Sequence, residues 1–527
     1  MGTKVNSNYE DLISFVRASS SGRATALRPV SYGTELVTNG DFATDSDWTK
    51  GTGWSISGGQ ATHVAGTGSN LQQSVAYGSS GTIYALSVDV VSISGGSGSI
   101  QARTGGATTA KTIDGDTSGT TVTLIYVHDG LNTDVAITAG SGTSLTVDNI
   151  SVKEVLFDQP DGTLTLFEHP ENVPRVEYDA DGNRLGLLIE EQRTNLIVYS
   201  DFSSGWVEFN VAPIAFNVTG PDGVANSAIT LQDNGAGGST VNARIQDNSI
   251  AISASTAYTA SVFVKAGNNS EIEIKTANDD ATRGGLFNIS TETFTPLASE
   301  TGTIQNVGNG WYRCAVTWTS GTDTSIALRV GFPTITLDGT NTIYLYGAQL
   351  EAGSFPTSYI KNEGTPSGAT RSADVASIPV ADFGYNQSAG TVVVEATTSH
   401  PANLTNQQMW QANDGTSVNR IEIYQSGSGN PWPRVTAVFR DNNSTTQSFL
   451  CQTNGWESNN RDIEKVGLAY KSGSSILDTT TDDSPALGTA DIPTGMTQVL
   501  FAHRGHIKSI KYYPRRLTNA QLQDLTS

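Results

Sequence analysis

Cysteine, methionine and histidine are scarce in this sequence, at 2, 3 and 6 among 527 residues. Cys314 and Cys451 stand in separate apolar segments, WYRCAVTW and SFLCQT, which predicts two buried thiols in different modules and no disulfide framework. The histidines (His63, His128, His169, His400, His503 and His506) are scattered without metal-ligand spacing. No G-x-S-x-G phrase, H-E-x-x-H phrase or phosphate-binding glycine loop occurs, so hydrolases and nucleotide enzymes that carry those motifs are excluded. A glycan-cleaving enzyme needs only two carboxylates about 5–10 Å apart, which linear spacing cannot show. The expectation is a non-enzyme, with that activity as the minor alternative. No apolar run approaches the roughly 18 residues of a membrane span, and Met1 to Arg28 lacks an apolar signal-peptide core. Cytoplasmic synthesis without membrane insertion is expected.

Positive charge is also in short supply: 30 Lys and Arg face 51 Asp and Glu, a net charge of -21. Residues 35–370 hold 14 basic and 35 acidic side chains, residues 1–34 hold 4 and 2, and residues 371–527 hold 12 and 14, so the excess lies in the middle. Such a surface repels phosphate backbones, which argues against nucleic-acid binding and leaves divalent-cation affinity open.

What the sequence has is glycine (55 residues) with abundant Ser and Thr among Val, Ile, Tyr and Phe, a composition of short strands and tight turns. The fold class read from it is all-β. At about 100–200 residues per domain, three or four cores are expected. Ile83 to Val91 alternates apolar and polar residues as a half-buried strand does. A plan then repeats. LVTNGDFATDSDW is paralleled by TNLIVYSDFSSGW, the Ile83 strand by STAYTASVFVKAG, and LTVDNISVKEV by NTIYLYGAQLEAG. Gly364 to Gly368 reads as a linker. Beyond it, AGTVVVEATTS, NRIEIYQSG, PRVTAVFRD and EKVGLAYKSG read as strands, and a terminal helix is capped at Thr518-Asn519 with Leu517, Leu522 and Leu525 turned inward.

Residues 175–200, RVEYDADGNRLGLLIEEQRTNLIVYS, resemble a connector phrase of tailed-bacteriophage virion proteins, and F-x-R-A-S (Phe15 to Ser19) resembles their opening. In those proteins the opening runs almost directly into an x-P-R phrase, here Val173-Pro174-Arg175. Residues 35–157 therefore read as an insertion, whose first and last phrases resemble those of a jelly-roll carbohydrate-binding module. The end, GHIKSIKYYPRRLTNAQLQDLTS, resembles the last strand and helix of a concanavalin/laminin-G-like sandwich. The resulting division is an attachment element (1–34), the inserted sandwich (35–157), a connector (158–193), a second jelly roll (194–363), a linker (364–375) and a laminin-G-like sandwich (376–527).

The resemblance implies a virion protein, a tail fibre or spike adhesin that binds host-surface polysaccharide, works beside other virion proteins and forms a homo-oligomer, with a trimer favoured. Linked weak sites would gain about 100- to 10,000-fold in avidity. A capsid decoration or head-fibre protein is the structural alternative. Sugar rings stack their C–H faces on aromatic side chains, so the glycan-binding candidates are Trp410, Trp432 and Trp456 in the third module, and Trp48 and Trp54 in the first. Trp48 and Trp54 also read as core residues, whereas Trp432 and Trp456 stand in polar, loop-like contexts where an exposed ring is costly without use. Trp206 holds the same opening position in the second module, and Trp311 and Trp318 are assigned to structure. Carbohydrate-binding jelly rolls commonly hold a structural Ca²⁺ near their first and last strands. The resemblance places it at Asp41 (NGDF) and Asp148 (VDNIS), and oxygen ligands suit calcium.

Overall fold

The computed structural model describes residues 14–17, 23–104, 108–236, 238, 240–277, 282–398, 407–426, 434–442, 444–452, 464–480, 485–489, 491–502 and 504–527. The chain is all-β: antiparallel sheets form tandem sandwiches, and the last eight-residue element is a helix. Two compact units divide the chain. The first combines residues 1–22, 171–194 and 370–527, and the second combines 23–170 and 195–369.

In the first unit two seven-stranded sheets enclose one core. One sheet runs, edge to edge, from Ser14–Val16 through Val375–Pro379, Gln498–Ala502, Gln407–Asn413, Arg420–Ser426 and Arg434–Asp441 to Ser444–Gln452. The other runs from Val176–Tyr178 through Arg184–Ile189, Gly505–Tyr513, Ala389–Thr398, Glu464–Lys471 and Ser475–Thr479 to Ala486–Gly488. The helix Asn519–Thr526 carries a full capping box between Thr518 and Gln521. Its buried Leu522 lies against Gly467, where a Cβ would come within 2.6 Å of the leucine, so only glycine admits the helix this close.

This arrangement corrects the division read from the sequence. Ser14–Val16 and the connector strands Val176–Tyr178 and Arg184–Ile189 are integral to the C-terminal sandwich. Residues 364–375 are not an exposed linker throughout, because Arg371 and Asp374 are buried. Linker-like composition (Gly, Ser, Thr, Pro) described only the turn before them.

The reason for their burial is an ion network. Arg175 binds Glu190 at 2.8 Å and pairs with Asp374; Arg371 pairs with Glu190, and Arg17 lies 3.6 Å from Asp374. The backbone reinforces it: Glu190 N donates to an Asp374 carboxylate oxygen at 2.9 Å and Asp374 N to the Glu190 carbonyl at 2.9 Å. Arg17 N donates to Asn172 Oδ1 at 3.0 Å. Burial opposes the Arg175 cation, but Asp374 and Glu190 outweigh it and hold its pKa above the ordinary value. Burial and the neighbouring Arg175 pull Arg17 down to about 10.

The second unit contains two sandwiches. In the first, Thr120–Val127, Ile83–Ser94 and Ser144–Phe157 lie over Thr49–Lys50, Ser69–Ser74, Asn132–Ala139, Gly98–Thr104 and Thr108–Ile113. In the second, two six-stranded sheets enclose a core that includes the free thiol of Cys314, which burial pushes well up from its ordinary pKa. Trp318 shares that core, whereas Trp311, seven residues earlier on the same strand, belongs to the cluster on the sheet's other face. A ribbon of Ala24–Tyr32 and Thr163–His169 continues the first sandwich's sheet. Leu27 and Leu166 on one face of the ribbon join the cluster around Phe263 and Trp311, while Val30 and Phe167 on the other join Ala85 and Val155. Burial on both faces explains why ATALRPVSY shows no clean alternation.

Asp247, on Thr240–Ala251 opposite Trp206 and Leu328, gives a pH test of the second sandwich. Burial pushes its carboxyl up to about 6. A folded pKa above the unfolded value means that its contribution to stability is complete below the ordinary value of 3.8 and is lost as pH rises through 6. Asp247→Asn is therefore expected to stabilise the protein at pH 7.5 by about 1–2 kcal/mol, at about 1.4 kcal/mol per pKa unit with partial solvation, and to give little gain at pH 4. Calorimetry at both pH values checks this; an equal gain at both would refute the ionisation argument.

Candidate functional site

The tryptophans are mostly interior. Trp410 is fully buried on Gln407–Asn413, where a bulge between Gln408 and Trp410 turns both Met409 and Trp410 inward. Trp48 packs its ring 5.5 Å from Phe42 and donates its indole N–H to the Asn39 carbonyl at 3.0 Å. Trp54 lies 5.3 Å from His63, on a short strand whose alternate residues are exposed serines. Three of the five candidate stacking residues thus present no open ring face, and the polar residues around them are the solvent-facing half of the same strands. Trp432 and Trp456, with His400 and His503, lie outside the described residues. The basic side chains Arg504 and Lys508 near the C-terminus face Glu191 (2.6 Å) and Glu395 (3.4 Å).

The repeated plan is visible in detail. Phe42 and Phe202 both take positive φ, 50° and 68°. Phe202 packs on Trp206 at 5.0 Å, and the Trp206 indole donates to the Tyr199 carbonyl at 2.9 Å, as Trp48 does to Asn39. On the closing strands Asn149 (φ 49°) and Gly347 (φ 56°) mark the same bulge. The amides after them, Ile150 and Ala348, bond to the carbonyls of Gly40 at 2.9 Å and Ser200 at 2.7 Å. The opening and closing phrases therefore do meet, as expected, in both sandwiches.

The two aspartates expected to hold calcium each accept a backbone hydrogen bond, Asp41 from Ala43 N at 3.4 Å and Asp148 from Asn149 N at 2.7 Å. No third acidic side chain joins them: among the described residues, no three His, Cys, Asp or Glu come together as a metal group. A calcium shell takes about 6–8 oxygens.

The equivalent place in the second sandwich, where Asp201 and Tyr346 stand for Asp41 and Asp148, borders an open cavity of about 530 Å³ within the second unit. Its wall is built from several elements. Tyr32 and Glu168 come from the ribbon, Lys111 from Thr108–Ile113, and Phe216 from Ala215–Val218. Tyr346 comes from the closing strand. The chain after that strand folds back, with Ile360 bridged to Ala24 and Glu363 to Tyr199. Asn362 is buried and donates to the Ile197 carbonyl at 2.8 Å, which leaves its neighbours Lys361 and Glu363 facing the cavity.

The floor is aromatic. Tyr346 and Tyr359, which line the cavity, lie 5.8 Å apart and each pack on Phe263 at 5.9 Å, and the Tyr359 hydroxyl bonds to Ser200 at 2.7 Å. Gly347 permits this, since a Cβ there would come within 2.9 Å of the Tyr359 ring. Above the floor, Lys361 binds Glu363 at 2.7 Å and Lys111 lies 3.7 Å from the same carboxylate. Burial would lower the Lys361 pKa, but Glu363, Asp201 and Glu168 outweigh it and raise it well above the ordinary value. Lys361 in turn holds Glu363 well below the usual carboxylate range. Burial pushes the Asp222 carboxyl up, against the hydrogen bonds from Ser227 (2.6 Å) and Val224 N (3.1 Å).

At the rim stands Tyr32, 51% exposed. It is the one aromatic side chain among the described residues that is more than about a third exposed. Sequence reasoning passed it over because SYGTE carries no motif, and because tryptophan drew the search for stacking rings.

No protein-family model matches the sequence, and no curated protein is similar to it. Among solved structures, the chain is similar to the CBM40 of the Ruminococcus gnavus IT-sialidase bound to α2,3-sialyllactose, at 14% identity over 27% of this chain and 84% of that one, with a TM-score of 0.21. It is similar to the CBM22 tandem of Paenibacillus barcinonensis Xyn10C at 10% identity over 63% and 100% of the two chains, TM-score 0.21. Mouse laminin α1 domains LG4–5 match at 9% identity over 53% and 90%, TM-score 0.20. Similarity at this level assigns no residue and no ligand.

Proposed function

We propose that this chain is a non-enzymatic virion protein of a tailed bacteriophage, a tail fibre or spike adhesin that binds glycan on the host surface. The observation that carries the binding half is Tyr32: among the described residues, the one aromatic ring more than about a third exposed stands on the rim of a cavity lined with carboxylates, lysines and threonines. That combination of a stacking face and convergent polar groups is what a sugar requires. The virion half is supported by the phage-like phrases. F-x-R-A-S supplies Arg17, x-P-R supplies Arg175, and the connector supplies Glu190, three members of the buried ion network. The residues that carry the resemblance are residues this sandwich buries and pairs. Other virion proteins and further copies of the chain, in a trimer, are the partners proposed with it.

Labelled full-length protein is expected to bind bacterial cells saturably. Periodate, which cleaves the vicinal diols of sugars, should abolish the binding, while protease treatment of the cells should leave it. Binding that survives periodate would point to a protein receptor. Failure of folded protein to bind at all, across a panel of strains, would favour the capsid-decoration role.

A further inference from the structure

We infer that the cavity of the second unit sorts saccharides by charge, taking amino sugars above neutral ones and turning away sugars that carry a carboxylate. The inference rests on the glycan-binding reading above and adds the class of ligand. Five carboxylates, Asp114, Glu168, Asp201, Asp222 and Glu363, line the cavity against two ammonium groups, Lys111 and Lys361. Both lysines face the same carboxylate, Glu363, and Glu168 is matched by Arg23 at 2.8 Å.

The other three are Asp114, Asp201 and Asp222. Asp201 accepts from Ser203 N at 3.3 Å and Ser203 Oγ at 2.7 Å. Asp222 accepts from Ser227, from Val224 N and from the Tyr346 hydroxyl. All of these donors are neutral, and the one cation that acts on both carboxylates, Lys361, also acts on Glu363 and Glu168, so the cavity keeps a surplus of carboxylate over ammonium. A sugar ammonium drawn to either carboxylate would gain charge-assisted hydrogen bonds, and a sugar carboxylate would meet like charge in a partly desolvated cleft. The wider field acts in the same sense. The second unit carries 13 basic and 29 acidic side chains, a net of -16 out of the chain's -21.

The test uses the full chain and three soluble oligosaccharides measured by calorimetry: glucosamine oligomers, the same oligomers N-acetylated, and oligogalacturonate. The glucosamine oligomers are expected to bind about ten-fold tighter than the acetylated ones at low salt, with the ratio shrinking as salt is added, and oligogalacturonate is expected not to bind. Asp201→Asn, an isosteric change, should narrow the ratio. A general attraction of polycations to an acidic protein is separated by Tyr32→Ala, which should remove the binding; survival of glucosamine binding in that variant would overturn the inference. Oligogalacturonate binding as well as the neutral oligomer, or an unchanged ratio in Asp201→Asn, would overturn it too while leaving glycan binding intact. Binding of none of the three by folded protein would count against the glycan reading itself.

Discussion

Replacing Tyr32 by alanine is expected to weaken glycan binding by at least about 30-fold per site while leaving the melting temperature close to that of the unchanged protein. The two halves have separate physical grounds. Tyr32 ends its strand, opposite Val155, with half its surface in water, so truncation removes little buried area. A central aromatic contact that closes on a ligand is commonly worth about 2 kcal/mol or more, which is about 30-fold in affinity. Tyr32→Phe keeps the ring and should keep most of the binding. If Tyr32→Ala bound bacterial polysaccharide as the unchanged protein does, the cavity could not be the binding site, and the search would move to the segments that carry Trp432 and Trp456.

Arg175→Ala is expected to cost the first unit about 3–5 kcal/mol, the usual result of leaving buried carboxylates without their cation. Arg175 is wholly buried and joins Glu190 to Asp374, two residues from separate passes of the chain through this unit. Lysine in its place should rescue little, since an ammonium cannot reach both carboxylates as the planar fork does. Denaturant melts, with hydrogen exchange read on Val176–Tyr178 and Val375–Pro379, measure the effect; exchange at the unchanged rate in Arg175→Ala would show that the network is dispensable.

Much of the fold was legible in the residues. The Asp181-Gly182 turn between Val176–Tyr178 and Arg184–Ile189, the repeated openings and closings, and the capped terminal helix follow local rules of turn chemistry and periodicity. What was not legible depends on partners far along the chain. The pairing of Ser14–Val16 with Val375–Ser377 leaves no mark in either segment, so the discontinuous sandwich read as an attachment element, a connector and a separate module. Trp410 misled because its bulge breaks the two-residue period on which an inward or outward assignment depends. The cavity was the least visible, because its walls come from the ribbon, an outer strand, a turn and a return segment that share no local pattern.

Val16 pairs with Val375, and that single register has a consequence for how the protein is made. A ribosome adding about 5–20 residues per second needs roughly 20–70 s to travel between them. For that interval Ser14–Val16 waits without its neighbour, while the strands of the second unit emerge in between. Ser14–Val16 thus finds its neighbour only after the whole of the second unit has been made, so that strand is synthesised early and paired late.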